Sequence, residues 1–307
     1  MFEPRYIGQV RLLVAVLPFV ADEDCFALKG GTAINLFVRE MPRLSVDIDL
    51  TYLPVEDRVT TLRNVEAALK RIGTRIKRAL PDTDVRYIRG EPMTRFDVTR
   101  DGAIKVEVSP VTRGCLFAPE PRAVAETVER EFGYAEVPVV SFPDLYAGKI
   151  CAALDRQHPR DWFDVKLLLD NEGIDRRLMQ ALLVYIASSG QPMNELLKPR
   201  WSDLKRVYEQ HFVGMTRAPV PLSDLEETRE RLLNEIARQW LSRDTDFLLS
   251  MKNRQPNWDA LGLDAAKTLP ALQWKLINLG KMSVAKHAAA MAKLEHALDA
   301  LAKRAKA

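Results

Sequence analysis

Asp47 and Asp49 stand two residues apart in the stretch Ser45 to Leu53, alternating with Val46, Ile48 and Leu50. On a strand, residues i and i+2 share a face, with Cα atoms about 6.6 Å apart, so the two acids project together while the aliphatic side chains turn toward a core. Two carboxylates this close repel, and the pKa of one rises unless a cation lies between them. Hard oxygen ligands with positions left for phosphate and water are the donor set of a Mg²⁺ site. An edge strand with a solvated acidic face, which discourages aggregation, accounts for the same pair equally well on its own.

Two further features bear on that choice. Gly30-Gly31-Thr32 lies upstream of the acids, between the short apolar run Cys25 to Leu28 and a helical stretch. Glycine lets a backbone approach a phosphate closely, and a helix start offers unpaired N–H donors; a plain strand-to-helix turn with Thr32 as N-cap fits the same residues. Glu107 sits between two valines in Ile104 to Val108. A third carboxylate facing the first two would complete a two-metal clamp, its ions about 3.5–4 Å apart astride a transferring phosphoryl group, whereas a single strand Glu is more often simply exposed. All three parts in this order are much rarer than any one of them.

A second block follows. Lys149 and Arg156 are seven residues apart, two turns of a helix and therefore on one face. Paired cations suit the β- and γ-phosphates of a nucleotide, although solvated Lys and Arg are the ordinary case. Asp161 follows Pro159-Arg160 and precedes an apolar run, the position of an N-cap, and Asp164 would complement the helix dipole. Gly148-Lys149 is not a P-loop, because Pro143 stands where its first glycine belongs and Ile150 where Ser or Thr belongs.

The elements that must hold these residues are readable from periodicity. Residues 6–20 carry Val10, Leu13, Val14 and Leu17 on one helix face, and residues 55–80 carry Val59, Leu62, Val65, Leu69, Ile72 and Ile76. Strands are expected at 25–28, 45–53, 85–88, 95–99 and 104–108, and a helix at 32–39. From Pro143 onward the pattern is helical, at 143–156, 161–170, 176–188, 194–212 and 223–250. The expected organisation is an α+β chain: a sheet domain over residues 1–142 and a mainly helical domain over 143–307.

These motifs in combination resemble the GG[ST]…DxD signature of the polymerase-β nucleotidyltransferase superfamily, carried here by Leu28-Lys-Gly-Gly-Thr-Ala-Ile-Asn-Leu and Arg43-Leu-Ser-Val-Asp-Ile-Asp-Leu50. More narrowly they resemble the AbiEii/AbiGii group of nucleotidyltransferase toxins from type IV toxin–antitoxin and abortive-infection systems. Lys149 to Arg156, followed by Arg160-Asp161-Trp-Phe-Asp164, matches the form of that group's lysine and arginine–aspartate block, and residues 247–250 and 269–278 are similar to its tail. Thr32 stands where many members have Ser, with the hydroxyl retained.

The resemblance implies a polymerase-β-like sheet domain and a Mg²⁺-dependent transfer from an NTP to an RNA acceptor, tRNA being favoured. It implies Asp47, Asp49 and Glu107 as metal ligands, joined by Lys149, Asp161 and Asp164 in catalysis. Gly30, Gly31, Thr32, Lys149, Arg156 and Arg160 would bind the nucleotide. It also implies growth inhibition and leaves room for a co-encoded antitoxin. A small-molecule acceptor of the aminoglycoside kind, or an interaction protein that keeps the fold without the chemistry, are the alternatives. The presence of all three carboxylates argues against the second.

Bulk properties agree with an ordinary globular chain: 307 residues, 47% hydrophobic, 28% charged, net charge +3. Nothing approaches the roughly 20 apolar residues of a membrane span. Three widely spaced cysteines fit reduced thiols in a cytoplasmic protein better than a disulfide framework. Residues 281–307 hold six Lys or Arg against two acids, while Met291, Leu294, Leu298 and Leu301 form an apolar helix seam. A basic terminal helix of this kind mildly favours a phosphate-bearing acceptor.

Overall fold

The alternating stretches pair into one seven-stranded sheet in the computed structural model, which describes residues 4–306 apart from 89, 91, 92 and 110. The chain divides into two compact units, one formed by Met1–Ser141 with Val213–Pro219, the other by Phe142–Phe212 with Val220–Ala307. In the first unit the order along the chain is α1 (Pro4–Ala21), β1 (Phe26–Lys29), α2 (Gly30–Ala33), β2 (Asp47–Tyr52), α3 (Arg58–Ala79), β3 (Asp84–Tyr87), β4 (Arg95–Thr99), β5 (Ala103–Val108), β6 (Glu120–Ala123), α4 (Glu126–Phe132) and β7 (Glu136–Val139). A widened π-type turn over Ile34–Val38 continues α2.

The sheet order is β3-β4-β5-β2-β1-β7-β6. It is mixed: β2 runs parallel to β5 and β1 parallel to β7, and the other neighbours are antiparallel. Phe26, Leu28, Ile48, Leu50, Phe96, Val98, Ile104, Val106 and Val108 are buried together with Leu13, Leu17 and Val20 of α1 and Val65, Leu69 and Ile72 of α3. This apolar packing leaves the other face of the central strands to polar side chains. The amphipathic helix α3 starts where Asp57 accepts from Val59 N and Thr60 N, an N-cap worth about 1 kcal/mol.

β6 and β7 were not legible as strands. Each contains a proline, Pro121 and Pro138, and the two are register partners; proline removes a ladder donor and hides the strand pattern. Residues 213–219 also depart from the expected organisation. They lie between two expected helices within the domain range 143–307, yet Leu44 N donates to Met215 O and Arg217 N donates to Pro42 O, so they complete the first unit.

The second unit is helical among its described residues: α5 (Phe142–Arg156), α6 (Pro159–Asn171), α7 (Arg176–Ser188), α8 (Met193–Leu197), α9 (Lys205–His211), α10 (Leu222–Gln239), α11 (Ser242–Lys252), α12 (Trp258–Leu261), α13 (Pro270–Gly280) and α14 (Val284–Arg304). The helix expected over 194–212 is two, with Pro199 in the break. The helix expected over 223–250 is also two. The Asp244 carboxylate accepts from Leu241 N and is gripped by Arg176, which starts α11 afresh. No described helix is long and apolar enough to cross a membrane, and Cys25, Cys115 and Cys151 form no disulfide among the described residues.

Candidate active site

The period-two alternation of β2 puts Asp47 and Asp49 on its polar face, half-buried, while Ile48 and Leu50 are fully covered. The parallel register with β5 then sets Asp47 opposite Lys105 and Asp49 opposite Glu107. From the other side, β1 sets Lys29 opposite Asp49. The three carboxylates singled out in the sequence therefore share one face, and two cations share it with them. Neither Lys29 nor Lys105 was identified from the sequence. Each is one lysine in an alternating strand, and only the strand pairing brings it to the acids.

Electrostatics on this face follow from burial. Burial is the main force pushing the Asp49 pKa upward; Lys105 opposes it, Asp47 adds to it, Lys29 opposes it and Glu107 adds again. Burial likewise lowers the Lys29 pKa, against the charges of Asp49 and Glu107. Lys29 Nζ donates to Thr112 Oγ1 at 3.1 Å, and that hydroxyl donates to Ser109 Oγ at 2.9 Å. Lys105 Nζ lies 2.8 Å from Glu107 Oε2. Burial alone would lower the Lys105 pKa, but its hydrogen bond to Glu107 and the charges of Asp47 and Asp49 raise it.

The glycine turn is built against the same acids. Gly30 has φ +75, and a Cβ there would stand 2.7 Å from Asp49 Oδ2. Both its left-handed backbone and the space beside the carboxylate require glycine. A Cβ on Gly31 would meet Ser45 Oγ at 2.8 Å. Thr32 is not a helix N-cap, the alternative its position left open, because the helix already begins at Gly30. Its hydroxyl instead hydrogen-bonds the Asp47 carbonyl and reaches Ser45 Oγ, tying the turn to the start of β2. Asn35 Nδ2 closes the turn on Gly31 O at 2.9 Å.

Gly30→Ala should therefore cost about 1–2 kcal/mol from the left-handed backbone alone, and it should reduce turnover by more than that loss explains because it displaces the Asp49 carboxylate. A urea midpoint together with initial rates measures both. An alanine variant as active as the parent would mean that the Asp49 position tolerates displacement.

In the second unit, Lys149 is not a solvated lysine. It is buried, with Nζ 3.0 Å from Asp161 Oδ1 and 2.9 Å from Asp164 Oδ2. Arg156, on the same helix, grips Asp161 with Nε at 2.5 Å and Nη2 at 2.8 Å, its own side chain 63% exposed. Burial would raise the Asp161 pKa, but Lys149 and then Arg156 hold it well below the usual carboxylate range. Nor is Asp161 an N-cap. His158 caps α6, its Nδ1 accepting from Arg160 N at 3.2 Å, with Pro159 in the first helical position. The cap role being filled by His158, Asp161 is left to organise the cations. Arg160 is half-buried on the first turn of α6.

The pattern described as "Nucleotidyl transferase AbiEii toxin, Type IV TA system" matches residues 11–276. The chain belongs to the AbiEii family. It is a nucleotidyltransferase toxin of a type IV toxin–antitoxin system. Among solved structures it is similar to MenT4, a nucleotidyltransferase toxin from Mycobacterium tuberculosis H37Rv, with a TM-score of 0.56 and 15% identity over 90% of this chain and 92% of that one. At that identity the likeness is one of fold. No curated protein matches the sequence.

An AbiEii nucleotidyltransferase works on an NTP, typically with a divalent metal. Among the described residues, no three of His, Cys, Asp and Glu converge closely enough to form a metal cluster. The donor chemistry nonetheless fits such an ion. Asp47 and Asp49 present oxygens on one face, and Asp47 and Glu107 add like-charge repulsion to the burial that raises the Asp49 pKa, a repulsion that a cation would relieve. Glu107 is register partner to Asp49 but is held by Lys105.

Proposed function

We propose that the chain transfers a nucleoside monophosphate from an NTP to RNA, with tRNA as the acceptor class, and that this transfer is what inhibits growth. The observation that carries the reading is the register placing Asp47, Asp49 and Glu107 on one face, with Gly30 leaving room beside the Asp49 carboxylate. In the transfer, an acceptor hydroxyl oxygen forms a bond to the α-phosphorus, the bond to the pyrophosphate oxygen breaks, and the hydroxyl proton leaves to a carboxylate on this face.

Mg²⁺, held by Asp47 and Asp49 with Glu107 beside them, would neutralise charge on the phosphate oxygens. The backbone N–H groups at Gly30, Gly31 and Thr32 are suited to phosphate oxygens. Lys149 is proposed as the triphosphate's cation. Asp161 and Asp164 hold it in place, catalytic in the supporting sense, and Arg156 and Arg160 add guanidinium charge. The partners are then an NTP, a tRNA and an antitoxin, and the setting is the cytoplasm.

Purified protein incubated with each labelled NTP, total RNA and either Mg²⁺ or EDTA tests this directly. Label should appear in the tRNA band with Mg²⁺ and be absent with EDTA. Label found only on an added aminoglycoside would replace RNA by a small-molecule acceptor. In cells, expression should slow growth and the Asp47→Ala variant should not; equal toxicity of the two would divorce growth inhibition from transfer.

A further inference from the structure

The second unit contains a cavity of about 790 Å³ that none of the residues above uses directly. Three separate stretches wall it: the end of α5 with Asp155 and Gln157, α8 and the loop after it with Lys198 and Arg200, and α14 with Lys293 and His296. Lys198, Arg200 and Lys293 outnumber the two carboxylates, Asp155 and Glu195, and all five side chains are exposed. Lys198 Nζ lies 2.9 Å from His296 Nε2, so the two walls meet through a lysine and an imidazole. Gln191 and Asn194 add amide donors and acceptors.

The loop on one side of this groove is held in place. Gln157 has φ +49, a left-handed backbone that costs a residue with a Cβ some free energy. Its side chain fastens the loop: Nε2 donates to Arg200 O at 2.8 Å, and Oε1 accepts from Ser202 N at 2.9 Å and from Ser202 Oγ at 3.1 Å. The residue before it is Arg156, the guanidinium on Asp161. Along α5, therefore, the groove begins where the Lys149–Asp161–Arg156 cluster ends.

We infer that this groove seats the RNA acceptor, an inference that rests on the RNA reading above. Its volume lies within the range of about 300–1,000 Å³ for sites that enclose small ligands, which suits a nucleotide or two of a strand and not a folded protein. Lys198, Arg200 and Lys293 meet the phosphates. Asn194, Gln191, Asp155 and Glu195 meet base edges and ribose hydroxyls, whose exocyclic amines and 2′-hydroxyl need acceptors as well as donors. The basic excess of the C-terminus thus acts through Lys293 on α14. Arg304, by contrast, is paired with Glu230 and Asn234.

Two variants test this with unfractionated bacterial tRNA as the probe: Lys198→Gln/Arg200→Gln/Lys293→Gln removes charge, and Ala292→Trp fills the groove without changing charge. Both alter exposed positions, and circular dichroism checks their fold. Each should raise the KM for tRNA at least tenfold and leave the KM for NTP unchanged. In the triple variant the log–log salt slope of tRNA binding should fall by about 0.7–0.9 for each phosphate that the protein no longer neutralises. If the parent extends tRNA and both variants match it, the groove inference is wrong and the RNA reading stands. If the parent extends no RNA, both fall. Variants that keep the parent's KM for tRNA but escape neutralisation by the antitoxin would assign the groove to a protein, which also overturns the inference.

Discussion

Asp49→Asn should abolish nucleotide transfer while leaving a protein at least as stable as the parent in the absence of divalent metal. Asn keeps the shape of the side chain beside Gly30 and removes its charge. The folded state holds the Asp49 proton more tightly than the unfolded chain does, because burial and the neighbouring Asp47 raise its pKa from 3.8. Between that value and the raised one, the folded state binds more protons than the unfolded state, so this group's contribution to stability falls as pH rises. Above the raised pKa the cost is complete, and the Asn variant does not have it. The variant's melting temperature relative to the parent should therefore climb as pH increases from about 4 toward neutrality, with metal chelated. Adding Mg²⁺ should raise the melting temperature of the parent and not of the variant, since a ligand bound only to the folded state stabilises it by mass action. Full activity in Asp49→Asn would remove the carboxylate from the chemistry. Asp47→Asn should lose transfer in the same way.

Why these acids stood out in the sequence, and their neighbours did not, has a simple physical basis. A strand's period of two is a local property, so Val46 to Leu50 and Ile104 to Val108 each announce which side chains share a face. Pairing register is not local. That Glu107 lies opposite Asp49, and that Lys29 and Lys105 flank them, depends on which strands become neighbours. The α+β division was legible because helical periodicity dominates after Pro143, but 213–219 return to the sheet unit through two backbone hydrogen bonds that leave no mark on composition. β6 and β7 were hidden by Pro121 and Pro138, whose meaning reverses once they lie opposite each other. The groove draws on three stretches up to 141 residues apart, from Asp155 to His296, and no window on the sequence spans it.

The second large effect belongs to Lys149. Read from the sequence it is a cation on a helix, whose loss would weaken nucleotide binding; its burial adds a structural consequence. Removing its charge leaves the carboxylates of Asp161 and Asp164 inside the unit, 1% and 0% exposed, with Arg156 bonded to the first. Breaking one partner of a buried ion pair costs about 3–5 kcal/mol, so Lys149→Met should lower the melting temperature by roughly 6–20 °C. Replacing the whole cluster is a different experiment. Lys149→Met/Asp161→Asn/Asp164→Asn removes the stranded charges together with the lysine, so the cost of uncompensated buried charge is no longer incurred. This triple variant should regain most of the lost melting temperature and remain inactive. It should also lose acid sensitivity: the depressed Asp161 pKa gives the parent a stabilising contribution that is present above 3.8 and disappears as pH falls below it. Recovery of both stability and transfer in the triple variant would show that the lysine and its two aspartates hold the helices together and take no part at the phosphates.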